Sequence, residues 1–189
     1  MDNPLTPVEL RVLGTLIEKE NTTPEYYPMT LNSLLAACNQ KTNRWPVTEY
    51  TEGDITAGID GLKARGFAAS IVGNGRVTKF AERFTERLNL GRRETAILCV
   101  LMLRGQQTVG EIKGRTERIY AFADLDETET VLQKMQDEFV EKLPNARYAH
   151  KLGGPVEVPA DRMSALEAEV ARLRDEVADL RRRLDEVLS

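Results

Sequence analysis

The side chains best suited to binding chemistry in this chain are basic and amide groups gathered in four short stretches. Asn39-Gln40-Lys41-Thr42-Asn43-Arg44 joins two helical patterns, and Arg76 and Lys79 follow a Gly-Asn-Gly turn. Lys113, Arg115 and Arg118 share one short helical pattern, while Arg104 and Gln107 bracket Gly105 at a helix end. Cations hold phosphate oxygens by charge, and amides pair with base edges or partner carbonyls. A helix end adds polar backbone groups suited to an anion or a carbonyl. The candidate nucleic-acid or partner contacts are therefore Asn39, Gln40, Lys41, Asn43, Arg44, Arg76, Lys79, Arg104, Gln107, Arg115 and Arg118. The same groups have a local use as well. Loop amides can satisfy their own backbone, and Arg44, Arg104, Arg115 and Arg118 can pair with Glu18, Glu20, Glu111 or Glu117.

Catalytic patterns find little support. No glycine-rich phosphate loop follows a strand, no nucleophile elbow occurs, and no order of Ser, His and Asp suits a triad. Carboxylates fall on helix faces and caps, where solvation explains them. His150 is the single histidine, and Cys38 and Cys99 stand apart in apolar helical stretches, which argues against a zinc site or a disulfide framework. The expectation is a non-enzyme with no catalytic residue, metal or cofactor, and two buried, inert thiols. Trp45, ahead of Pro46, reads as partly buried core rather than an exposed anchor.

The elements that would position these groups repeat. Thr6-Pro7-Val8-Glu9 is a capped helix start, and Leu10, Leu13 and Ile17 follow on one face. A second helix begins at Thr30 with Leu31, Leu34, Leu35 and Cys38 inward, and a third from Thr51 buries Ile55, Ile59 and Leu62 before Gly66 stops it. Strands over 67–72 and 76–80 flank Gly73-Asn74-Gly75, a turn whose residues tolerate positive φ. The order then recurs: helices over 91–104, 108–119 (opened by a Thr108/Glu111 capping box) and 126–139, then strands over 140–143 and 147–152. Three helices and a hairpin, twice, predict a mainly α fold with small β-hairpin wings (α+β). The predicted organisation is two tandem winged helix-turn-helix domains, 1–88 and 89–154, then a linker at 155–160 and a C-terminal coiled-coil helix at 161–188.

That last segment has a regular seam. Met163, Leu166, Val170, Leu173, Val177, Leu180, Leu184 and Val187 alternate steps of three and four, with valine prominent at a and leucine at d. A parallel pair would set Arg162 beside Glu167, Glu169 beside Arg174, and Glu176 beside Arg181, all opposite in sign, whereas an antiparallel pair would set like charges together. A parallel homodimer is expected; the alternative is a helix packed on its own body.

Over residues 5–152 the chain resembles the YceH family of bacterial proteins, also known as DUF480 or UPF0502. The resemblance is carried by Leu10-Arg-Val-Leu-Gly-Thr-Leu-Ile-Glu-Lys-Glu20, Tyr27-Pro-Met-Thr-Leu-Asn-Ser-Leu-Leu-Ala-Ala-Cys-Asn-Gln-Lys-Thr-Asn-Arg44 and Leu103-Arg-Gly-Gln-Gln-Thr-Val-Gly-Glu-Ile112, with Thr116-Glu-Arg118 and Arg147-Tyr-Ala-His150. It implies paired winged-helix domains and no settled activity. The chain departs from the family pattern in a shorter turn before Arg147 and in Gln106, where proline is common.

Charge divides the functional readings. The formal net charge is −4, and no apolar run reaches membrane-spanning length. The N-terminus lacks signal-peptide features, so a cytoplasmic protein without membrane attachment is expected. A winged helix usually offers its third helix to the major groove. Here the outward positions of that helix carry Glu52, Asp54 and Asp60 against Lys63 and Arg65 in the first half, and Asp126, Glu127, Glu129, Asp137 and Glu138 in the second. The first reading is a regulator touching duplex DNA through the basic loop and wing. The second is a protein-interaction scaffold without direct DNA contact.

Overall fold

A computed structural model describes residues 3–72 and 77–154 of the chain. Arg76, the Gly73-Asn74-Gly75 turn, the 155–160 linker and the heptad segment 161–188, including Met163, Leu166, Val170, Leu173, Val177, Leu180, Leu184 and Val187, lie outside the described residues.

Helix α1 (Pro7–Thr22) begins where the sequence places it. The Glu9 amide donates to Thr6 Oγ1 at 3.2 Å, and the Thr6 amide donates to the Glu9 carboxylate at 2.7 Å. These reciprocal bonds satisfy amides that a helix start leaves without partners. Strand β1 (Met29–Thr30) leads directly into α2 (Leu31–Cys38), capped by the Thr30 hydroxyl. Helix α3 (Glu52–Ala64) opens on a Thr51/Asp54 capping box and ends before Gly66, whose φ of 72° suits a residue without Cβ. Antiparallel strands β2 (Ala68–Ile71) and β3 (Lys79–Glu82) follow, with Ala69 opposite Ala81 and Ile71 opposite Lys79. β1 pairs with the other edge of β3, giving the sheet order β1-β3-β2.

A short helix, α4 (Phe84–Arg87), precedes the second set. It comprises α5 (Arg92–Arg104), α6 (Val109–Thr116), α7 (Leu125–Met135) and the hairpin β4 (Val140–Lys142) and β5 (Tyr148–His150). α6 has the expected capping box, with Thr108 and Glu111 bonded in both directions. α7 starts one residue earlier than the sequence suggests, because the Asp124 side chain accepts the Glu127 amide at 2.7 Å. The described residues are thus mainly helical with two small antiparallel sheets. Both hairpins are shifted or shorter than expected, because strand ends are set by pairing partners and not by the apolar run alone.

The two halves share one continuous core. Every residue of α5 from Thr95 to Leu103 is buried, as is α1 from Arg11 to Ile17, and these two helices lie face to face. Gly14 permits the approach: a methyl group placed there would sit 3.0 Å from Leu103 Cγ and 3.2 Å from Met102 Cβ. The Cys99 thiol donates to the Gly14 carbonyl at 3.4 Å. Backbone bonds tie the halves at two further points, Leu5 N–H to the Leu152 carbonyl and Trp45 N–H to the Leu103 carbonyl, both at 2.8 Å. The second bond brings the α2–α3 loop to the C-terminal end of α5.

Candidate functional site

The α2–α3 loop is braced from inside. Arg11, buried on α1, donates Nη1 to the Cys38 carbonyl at 2.9 Å and Nη2 to the Pro46 carbonyl at 2.6 Å; burial lowers its pKa. Asn39 turns its amide on Tyr50, donating to the carbonyl and accepting the N–H, each at 2.8 Å. Gln40 donates to the Thr42 carbonyl at 2.8 Å and accepts from Lys19 Nζ at 3.4 Å. The Arg44 side chain is fully buried, donating to the Glu18 carboxylate at 2.6 and 3.1 Å and to the Ala37 carbonyl at 3.1 and 3.2 Å. Burial works to raise the Glu18 pKa, but the hydrogen bonds and charge of Arg44, with help from Lys19, hold it below the usual carboxylate value. Three of the expected contact groups, Asn39, Gln40 and Arg44, are therefore engaged within the chain. Lys41 and Lys79 are exposed on the first half.

Trp45 corrects the sequence expectation: it is 60% exposed rather than partly buried. Asn43, at φ 61°, turns the chain outward, and the Trp45 backbone bond to Leu103 fixes the residue beside α5. A methyl group on Gly105 would lie 3.8 Å from Trp45 Cδ1, so the indole rests against that glycine with much of its surface in solvent.

The second half contributes most of the remaining cations. Arg104 reaches across the junction to Asn43 Oδ1 at 2.6 Å. Gln107 is fully buried, its Nε2 donating to the Val100 and Gly105 carbonyls at 2.9 and 3.2 Å and its Oε1 accepting from Arg115 Nη1 at 2.8 Å. It positions Arg115 and occupies carbonyls at the end of α5, so direct contact falls to the arginines. Glu111 accepts from Arg115 at 3.3 Å and from Arg147 at 2.9 Å. Its carboxyl is held below the ordinary value first by the Thr108 amide bond, which outweighs the opposing effect of burial, and then by the charges of Arg147 and Arg115. Arg147, which is not among the expected contacts, is carried here by the bridge between Gln107 and Tyr148 and also donates to the Gln106 carbonyl at 3.0 Å. The signal for it was the Arg147-Tyr-Ala-His150 motif.

These groups line two adjoining hollows that share Asn43, Arg104 and Arg115. The narrower, about 80 Å³, is bordered by Lys19, Gln40 and Arg118. The wider, about 330 Å³, is bordered by Arg44, Trp45, Glu111 and Arg147. Burial, followed by the charge of Arg115, lowers the Arg104 pKa; Glu18 opposes that shift and Arg44 adds to it. The arrangement can hold an anion or an acidic segment by charge and hydrogen bonds. A separate hollow of about 310 Å³ has Glu20, Glu82 and Glu86 on its walls with Arg83 and Arg92. Burial, then the charge of Glu82 and a hydrogen bond with it, pushes the Glu20 pKa up to about 7. Both Glu82 oxygens bond Thr85, one to its amide at 3.0 Å and one to its hydroxyl, so this carboxylate fixes the start of α4. Among the described residues no three His, Cys, Asp or Glu side chains gather as a metal site, and no helix is long and apolar enough to cross a membrane.

Fold and site together define a mainly helical α+β protein with paired helical halves and a basic cleft at their junction. The chain belongs to the family described as "Protein of unknown function, DUF480", which matches residues 5–149. It is 48% identical to a UPF0502 protein of Solibacter usitatus over 98% of this chain and all of that one. It is 44% identical to one from Opitutus terrae over 90% of this chain and 83% of that one, and 39% identical to one from Vibrio atlanticus over the full length of both.

Proposed function

We propose that the chain is a non-enzymatic interaction protein in which two winged-helix modules, 1–88 and 89–154, are locked into one body and paired with a second copy through 161–188. On this reading it binds a protein partner bearing a basic surface. The observation that carries the proposal is the sign of the exposed third helices. Glu52, Asp54 and Asp60 stand in solvent on α3, where Lys63 offsets only Asp60; Asp126 and Lys134 are exposed on α7, and Asp137 and Glu138 are exposed just past its end. Such faces repel a groove lined with phosphates and attract a cationic partner. The loop amides that would read base edges are meanwhile bonded inside the chain.

The second reading, a DNA-associated regulator, is favoured by exposed Lys41 and Lys79 and by Arg76 in the sequence between β2 and β3, a set suited to phosphates without base readout. Affinity capture with the intact chain separates the two. The protein reading expects a stoichiometric partner that survives nuclease treatment and is lost with the double variant Glu52→Lys, Asp60→Lys. Recovery that nuclease abolishes, or that the double variant increases, overturns it in favour of DNA.

A further inference from the structure

The wider junction hollow combines two features: an indole left in solvent and a surplus of guanidinium groups around it. Four arginines, Arg44, Arg104, Arg115 and Arg147, border it. Two carboxylates compensate them, Glu18 on Arg44 and Glu111 shared by Arg115 and Arg147, which leaves about two positive charges without a carboxylate among the described residues. That surplus matches the roughly −1.5 to −2 charge of a phosphate monoester near neutral pH. Guanidinium forks suit phosphate oxygens geometrically as well as electrically.

The negative end of α5 would ordinarily oppose an anion here. Several carbonyls there are occupied, however: Leu103 accepts from Trp45, Leu101 from Gly105, and Val100 and the cap residue Gly105 from Gln107. Glu111 is likewise engaged by Arg115, Arg147 and the Thr108 amide, so it faces the cleft largely neutralised. Beside these cations the Trp45 main chain is tied to Leu103, and its exposed indole offers a flat apolar surface, the other half of what a nucleoside phosphate needs. The volume of about 330 Å³ falls in the range of small-ligand sites.

We propose that this cleft binds a nucleoside phosphate, with the base against the Trp45 indole and the phosphate held by Arg104, Arg115 and Arg147. The source is either a free mononucleotide or the 5′-phosphorylated end of a single strand. The assignment goes beyond the partner-binding role of α3 and α7 and does not depend on it.

Trp45 is the only tryptophan in the sequence, so fluorescence excited near 295 nm reports on this cleft alone. The intact protein is titrated with AMP, GMP, adenosine, inorganic pyrophosphate and a 5′-phosphorylated oligothymidylate, with calorimetry in parallel. The expected result is a saturable fluorescence change with a mononucleotide or the oligonucleotide at or below about 1 mM, with adenosine and pyrophosphate each about tenfold weaker or more. Arg104→Gln, Arg147→Gln and, by calorimetry, Trp45→Leu each weaken binding by about tenfold while the thermal melt stays that of a folded protein. Binding of free nucleotides alone assigns a small-molecule site, and tighter binding of the oligonucleotide assigns a strand end; either supports the proposal. Two results overturn it: no saturable signal with any phosphate probe, or pyrophosphate binding as tightly as nucleotide with Trp45→Leu unchanged.

Discussion

Removing the Glu18 carboxylate tests whether Arg44 is a structural group or a contact. The Arg44 side chain has no exposed surface, and Glu18 retains 16% exposure. In Glu18→Ala the guanidinium keeps its bonds to the Ala37 and Asn43 carbonyls but loses its counter-charge. Breaking one side of a buried ion pair costs about 3 to 5 kcal/mol. Water can enter at the partly open Glu18 position, which places the expectation at the low end, about 3 kcal/mol, or roughly 6 to 12 °C in melting temperature for a chain of this size. Arg44→Met should cost less than Glu18→Ala, since its lone carboxylate reaches water and protonates readily. In a double-mutant cycle the pair should recover at least about 1 kcal/mol of coupling. Guanidinium denaturation of the four proteins provides the numbers. A loss below about 1 kcal/mol for Glu18→Ala, or no coupling, would refute the reasoning and return Arg44 to the surface.

Three further outcomes follow from local chemistry. Because the fold favours the protonated form of Glu20, stability is unaffected below pH 4.5, falls as pH rises toward 7 and carries the full penalty above it. A partly exposed group is screened, so the loss is about 1.5 kcal/mol, and Glu20→Gln should remove it in urea titrations at pH 5 and 8; identical curves for both proteins at pH 8 would contradict this. Ala146 holds φ 57° in the turn before Arg147, a left-handed conformation that suits Asn better than Ala. Ala146→Asn should therefore raise stability by about 0.5 to 1 kcal/mol by denaturant midpoint, and a decrease would count against the turn. Light scattering should give twice the 21.2 kDa chain mass at micromolar concentration and single chains for Leu173→Lys, while a monomeric parent would remove the proposed pairing.

Legibility in the sequence followed the range of the interaction. The Thr6/Glu9 and Thr108/Glu111 boxes were readable because their partners lie three residues apart, and the apolar spacing of α1, α3 and α5 marked their buried faces. β1 was not readable, since two residues become a strand only by meeting Phe80 and Lys79. The same limit hid the cleft. Arg104 meets Asn43 across 61 positions through the α1–α5 packing, and Arg147 meets Glu111 across 36 through the bridge between Gln107 and Tyr148, and no local pattern encodes either. Composition argues for burial of Trp45, whereas the left-handed turn at Asn43 and the backbone bond to Leu103 leave it in solvent. Arg11 carries no sequence signal inside an apolar helix, although it organises the loop that bears the expected contacts.

The central claim, that acidic third helices direct this protein to a protein partner, meets its most direct test in the salt dependence of duplex binding. Fluorescence anisotropy of the intact chain on a labelled duplex, from about 50 to 200 mM salt, reads how many phosphates are neutralised. Weak association with a logarithmic slope shallower than about −2 is expected. A slope of about −5 or steeper, the mark of six or so phosphate contacts, would contradict it.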